Sequence, residues 1–243
     1  MEIKKEVLKT IKEIEKENNI KILFLIESGS RAWGWESEDS DYDIRGVYVQ
    51  DYLIIEDIKE QINKKKEDLD ITLWDFRKFL RLMKNSNPSV WEWLSSDIIY
   101  LENPLRKKLK NIFNKDFNSL KLKNHYCSMA KQNFHKYINE IGDFANLKKY
   151  VYVLRSVACI LWIEKNKTAP PKNYKEVIEL FPKEIRLFFE KVVKEKRKSE
   201  SLTGKRNKEV EKYIVSFFDK KFEEDKDKFN INELNKIFKE QLK

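Results

Sequence analysis

Two aspartates stand one residue apart, Asp41 and Asp43, at the mouth of the apolar run 42-YDIRGVYV-49. Alternate residues of a strand leave the same face, so the two carboxylates are expected to point the same way. Like charges that close raise each other's pKa unless a cation lies between them. Oxygen ligands suit Mg²⁺ or Mn²⁺. A third carboxylate on a neighbouring strand would complete a two-metal site. Asp70 has that context in the alternating run 68-DLDITLW-74, with Asp68 on the same face as the reserve candidate. Upstream, Gly29 and Ser30 follow the apolar run 21-KILFLIES-28. Backbone N–H groups at such a turn bind phosphate oxygens, glycine permits close approach, and the Ser30 hydroxyl adds a donor. Arg31 is placed either to reach a γ-phosphate or to pair with one of the loop acids Glu36, Glu38 and Asp39. A phosphate cradle with three carboxylates is the equipment of phosphoryl or nucleotidyl transfer, in which metal ions hold the triphosphate and activate the attacking hydroxyl.

These residues need elements to position them. Ile3, Val7, Leu8, Ile11 and Ile14 repeat at helical spacing and predict a first helix ending near Asn18-Asn19. Strands are expected at 21–28, 42–49 and 68–74, and 52-YLIIED-57 reads as a strand or a helical turn. Asp75 is suited to cap a helix over 76–85, and Ser86 or Asn87 a second one with Pro88 in its first turn. From about residue 104 helical patterns take over: 104–114, 119–141, 145–165, 173–198 and two more to the C-terminus, broken at 169-APP-171. The charged stretch 194–212, with Gly204, reads as an exposed loop. The fold class expected is α+β: a catalytic domain over 1–104 with a small mixed sheet, then a helical domain over 105–243, the boundary lying near 104–118.

Charge divides with the elements. Residues 1–104 hold 16 Lys+Arg against 22 Asp+Glu, and residues 105–243 hold 34 against 19, within an overall +9. A basic back half suits a polyanion such as RNA, or is simply a lysine-rich solvated surface. A hydrophobic fraction of 41% is that of a globular chain, and no 18-residue apolar run suggests a membrane span. The N-terminal segment has no secretory pattern, and Cys127 and Cys159 are spaced as reduced core residues of a cytoplasmic protein. Lys148, Tyr152 and Arg155 share one helical face, able to hold phosphates and stack a base or to form a surface charge face; Lys149 competes with Lys148. Trp33 and Trp35 flank Gly34, either packing the loop or walling a base, while Trp91 and Trp93 read as core and helix surface.

The strand, Gly-Ser, Asp-x-Asp strand and later single Asp together resemble the DNA polymerase β-type nucleotidyltransferases. The longer form 29-GSRAWGWESEDSDYDIRGVYV-49 resembles the narrower YcgL-type group, also described as RNA-ligase-associated or RNA-repair members of that superfamily. The resemblance continues in 75-DFRKFLRLMKNSNPSVWEWL-94, 125-HYCSMAKQNF-134 and 148-KKYVYVLRSVACILWIEKNKTAPP-171, and covers most of residues 20–175. It implies that Gly29 and Ser30 hold a nucleoside triphosphate, that Asp41 and Asp43 bind Mg²⁺ or Mn²⁺, and that Asp70 ligates the catalytic metal and helps deprotonate the acceptor. The expected activity is transfer of NMP from an NTP, ATP first among them, to a hydroxyl, with an RNA end favoured. The alternatives are a protein or small-molecule acceptor, or a binding module without turnover.

Overall fold

The helical repeat at the start of the chain becomes α1 (Glu2–Asn18) in the computed structural model, with Val7, Ile11 and Ile14 buried. The structure describes residues 2–52, 59–138, 142–198 and 202–242, so the run 52–57 lies outside the described residues from 53 onward. The first unit comprises Met1–Ala32, Asp41–Phe117 and Asp227–Lys243; the second comprises Trp33–Ser40 and Asn118–Lys226. The chain passes into the second unit at Trp33–Ser40 and again after Phe117, within the stretch 104–118, and returns to the first at Asp227.

In the first unit, α1 leads into β1 (Ile20–Glu27), α2 (Gly29–Trp33), β2 (Tyr42–Gln50), β3 (Gln61–Lys66) and β4 (Leu69–Asp75). Next come α3 (Phe76–Lys84), α4 (Pro88–Ser95), β5 (Ile99–Leu101) and α5 (Pro104–Asp116). The five strands form one sheet in the order β3-β4-β2-β1-β5. β2 and β4 run parallel, and every other pair is antiparallel. β1 is apolar almost throughout because it is covered on both faces. Val7, Ile11 and Ile14 of α1 pack with Ile22, Leu25, Ile44, Leu69, Ile71 and Leu73. Elsewhere in the sheet unit Phe24 meets Phe79 of α3 edge-on at 5.7 Å, and Trp74 stacks on Trp93 of α4 at 4.0 Å. Asp75 caps α3 as expected, accepting from the Arg77 and Lys78 N–H groups, a contact of about 1 kcal/mol. Asn87, rather than Ser86, caps α4.

The second unit is built from α6 (Ser119–Tyr137), α7 (Leu147–Asn166), α8 (Tyr174–Ile178), α9 (Lys183–Lys196) and α10 (Lys208–Val215). Among its described residues one short ladder pairs β6 (Phe144–Asn146) with β7 (Thr203–Lys205). α7 is buried around most of its circumference, as its apolar sequence requires. The expected helix over 173–198 is two, α8 and α9, separated at Phe181-Pro182. The charged stretch 194–212 is not one exposed loop: α9 runs to Lys196, which is 1% exposed, and β7 and the start of α10 lie within it. α11 (Ile231–Glu240) closes the chain in the first unit, with Phe238 against Tyr52 and Phe76. No helix among the described residues is long and apolar enough to cross a membrane.

Candidate active site

The ladder between β1 and β2 sets Glu27 opposite Ile44. Beyond that pair it closes through a side chain. The Asp43 N–H donates to Glu27 Oε1 at 2.7 Å, and the Asp43 carbonyl accepts from the Ser28 N–H at 2.9 Å. The main chain of Asp43 is therefore held on both sides. Glu27 is fully buried; its Oε2 accepts from the Tyr100 hydroxyl at 2.5 Å, and its carbonyl from Ser96 Oγ at 2.6 Å. Burial pushes the Glu27 carboxyl up to about 7, against the opposing pull of the Tyr100 hydroxyl and the Asp43 N–H. Burial, with the Glu27 carboxylate, raises the Tyr100 phenol as well.

Gly29 opens α2 at a φ of +60°, with its Cα against the Asp43 carboxylate. A methyl group there would stand 1.8 Å from Asp43 Oδ2, so both backbone and space require glycine. Ser30 is buried beside it. Arg31 lies over the Tyr42 ring, 3.9 Å from its centroid, and its Nε donates to the Asp41 carbonyl at 3.4 Å.

The parallel register of β2 and β4 sets Asp43 opposite Asp70. Asp68 precedes β4, and its carbonyl accepts from the Tyr42 N–H at 2.8 Å, fixing where the two strands begin to pair. Between Asp43 and Asp70 lies a cation that the sequence reading did not single out. Arg45 Nη2 is 2.7 Å from Asp43 Oδ1 and 3.4 Å from Asp70 Oδ2. Arg45 Nη1 donates to the Asp70 carbonyl at 2.6 Å and lies 3.4 Å from Asp70 Oδ1. Its signal was in the sequence: Arg45 follows Asp43 by two residues, the same spacing that paired Asp41 with Asp43. Glu27, an acid ending an apolar strand, carried a weaker one.

Asp41 lies just outside β2, and its Oδ2 is 3.5 Å from Lys65 Nζ on β3. The structure thus brings Asp43 and Asp70 around one positive charge and leaves Asp41 beside another. Among the described residues no three carboxylate, imidazole or thiolate groups converge as a ready ligand set. The pair itself fits a hard divalent ion: both donors are carboxylate oxygens, and both already face a common cation.

Lys148, Tyr152 and Arg155 lie on α7 of the second unit. Tyr152 packs edge-on against Trp33 at 5.5 Å and Trp35 at 6.0 Å. Arg155 is 4% exposed, its guanidinium carbon 4.3 Å from the Trp33 ring centroid. Trp35 is fully buried against Tyr152, Tyr174 and Phe189. Lys196 Nζ donates to the Trp35 carbonyl at 3.3 Å, and Arg197 Nη2 to the Gly34 carbonyl at 2.6 Å. The two tryptophans that flank Gly34 are packing residues of a strap fastened by α9 and the residue after it.

The sequence matches the RNA repair pathway DNA polymerase beta family, RlaP, over residues 3–240. It is 39% identical over 207 residues to the YcgL protein of Bacillus subtilis (strain 168), covering 82% of this chain and 79% of that one. A nucleotidyltransferase-like protein from Exiguobacterium sibiricum 255-15 aligns with 99% of this chain and 76% of its own, at 14% identity and a TM-score of 0.32. A match that spans nearly every residue, including the Asp43–Asp70 pair and the Gly29 turn, makes this chain a member of the RNA repair pathway DNA polymerase beta family.

Proposed function

We propose that the protein transfers NMP from an NTP, ATP first among them, to the hydroxyl of an RNA end, with release of pyrophosphate and with Mg²⁺ or Mn²⁺ as cofactor. The observation that supports it is the convergence of Asp43 and Asp70 on one positive charge, with the Gly29 turn against the Asp43 carboxylate. Asp43 and Asp70 would hold the metal, with Asp41, now beside Lys65, as the third carboxylate. When bound, the metal polarises the triphosphate and lowers the pKa of the acceptor hydroxyl. The Gly29 and Ser30 amides and the Ser30 hydroxyl contact the triphosphate, and Arg31 its terminal phosphate. Asp70 has the more exposed side chain of the pair, 45% against 27%, and takes the acceptor proton. The acceptor oxygen bonds to the α-phosphorus as the bond to pyrophosphate breaks. Glu27, behind the site, fixes the main chain of Asp43 without touching substrate.

In the second unit, Lys148, Tyr152 and Arg155 are proposed as nucleotide contacts by their own chemistry, two cations and a ring on one helical face. The RNA acceptor is proposed from the basic back half of the chain and from the pathway named for its family. Incubation with each α-labelled NTP and Mg²⁺, in the presence of total RNA and total protein, tests both parts. Label in RNA supports the reading. Label in protein alone replaces the acceptor, and nucleotide binding without label in either fraction overturns the RNA and protein acceptors together.

A further inference from the structure

The charge that holds Asp43 and Asp70 together is supplied by the chain itself. Arg45 lies on β2 two residues beyond Asp43, on the same face. Its guanidinium donates to Asp43 Oδ1 at 2.7 Å and to the carbonyls of Asp70 and Ile44 at 2.6 and 3.1 Å, and both its terminal nitrogens stand 3.4 Å from Asp70 carboxylate oxygens. The Arg45 side chain is only 17% exposed, so this is a partly desolvated contact and not a loose surface pair. A planar fork of donors is the side chain best shaped to serve two carboxylates on adjacent strands.

We propose that Arg45 is a built-in counter-ion that takes the place of the divalent metal between Asp43 and Asp70, and that metal entry displaces its Nη2 from Asp43 Oδ1. The proposal rests on the reading above that this pair binds a divalent cation. Arg45 Nη2 occupies Asp43 Oδ1 and the Gly29 turn lies against Asp43 Oδ2, so a metal at Asp43 would compete with the guanidinium. The backbone bonds to Ile44 and Asp70 give the arginine a second hold, so it can turn away from Asp43 without leaving the sheet. Two consequences follow. The carboxylates are held and aimed before any metal arrives, and a free divalent ion binds weakly. The metal is then favoured to enter with the triphosphate, whose oxygens supply the ligands that the pair lacks.

The test is Mn²⁺ binding to the full chain without nucleotide, followed by the electron paramagnetic resonance of free Mn²⁺ at fixed pH and salt. Wild type is compared with Arg45→Gln, Arg45→Lys and Asp43→Asn. Arg45→Gln is expected to bind Mn²⁺ at least tenfold more tightly than wild type, at a site that Asp43→Asn abolishes. Arg45→Lys keeps the charge but loses the fork, and falls between them. Thermal melts in EDTA give a second readout: Arg45→Gln melts below wild type, and Mn²⁺ restores it. Should Arg45→Gln prove too unstable to purify, the lysine variant carries the same test, with at least threefold tighter binding expected. Equal or weaker Mn²⁺ affinity in both arginine variants, with Asp43-dependent binding intact, overturns the competition and makes Arg45 an orienting residue only. Absence of Asp43-dependent binding in every variant, even with nucleotide added, overturns the metal reading itself and the proposal with it.

Discussion

Asp43 and Asp70 stand directly opposite each other on parallel strands, and one guanidinium, that of Arg45, reaches both. Asp68 shares the polar face expected for the third acid but lies ahead of β4, where its carbonyl, not its carboxylate, bonds the neighbouring strand. Asp70→Asn is therefore expected to lower nucleotidyl transfer by more than about a hundredfold, as loss of a metal ligand would. Asp68→Asn is expected to stay within a few-fold of wild type. Steady-state rates of the two variants check this, and equal losses would contradict it.

Gly29 cannot be replaced quietly. Alanine would place a methyl group 1.8 Å from Asp43 Oδ2 and force an L-residue to a φ of +60°. Gly29→Ala is expected to destabilise the chain by roughly 1–3 kcal/mol and to lose activity beyond that cost, because the carboxylate must move. Urea unfolding, with activity measured where the variant is still fully folded, separates the two effects.

The buried Glu27 gives the first unit a pH signature. Its carboxyl is raised from 4.5 to about 7 in the folded state. Between those values the folded chain holds a proton that the unfolded chain has lost, so stability falls as pH rises through this window and then levels off. The full span is on the order of 3 kcal/mol. Glu27→Gln removes that slope. Urea melts in EDTA at pH 5 and pH 8 read it directly, and parallel slopes for wild type and variant would count against it.

Trp35 anchors the strap of the second unit among Tyr152, Tyr174 and Phe189. Trp35→Ala removes a fully buried indole and is expected to cost about 3–5 kcal/mol. Thermal unfolding would show this as a lowered midpoint. An unchanged midpoint would mean that the strap adds nothing to the unit.

The sequence makes legible those features that depend on local periodicity. Alternation of Leu69, Ile71 and Leu73 with Asp70 and Thr72 marks β4, and the observed burial follows it residue by residue. Asp75 is recognisable as a cap because it precedes an apolar stripe at helical spacing. β3, by contrast, reads QINKKK: as an edge strand, with alternate residues exposed, it needs no apolar face to announce it. Lys196 looks like one charge in a solvated run, yet its buried Nζ is satisfied by Trp35 and Ser40, more than 150 positions earlier. The return of α11 to α3 through Phe238 and Phe76 is likewise a long-range pairing with no local mark. Arg45 was missed for another reason. Two acids at strand spacing suggest a missing external cation, and the chain supplies one from two positions further along the same strand.

The proposed working centre of the nucleotidyltransferase is the Asp43–Asp70 pair. Its most direct measurement is transfer of label from α-labelled ATP to RNA with a free 3′ hydroxyl, in Mg²⁺, by wild type and by the folded Asp43→Asn variant, with 3′-blocked RNA alongside. Label is expected on the free-ended RNA with wild type only, and none on the blocked RNA. Equal labelling by wild type and Asp43→Asn would contradict it.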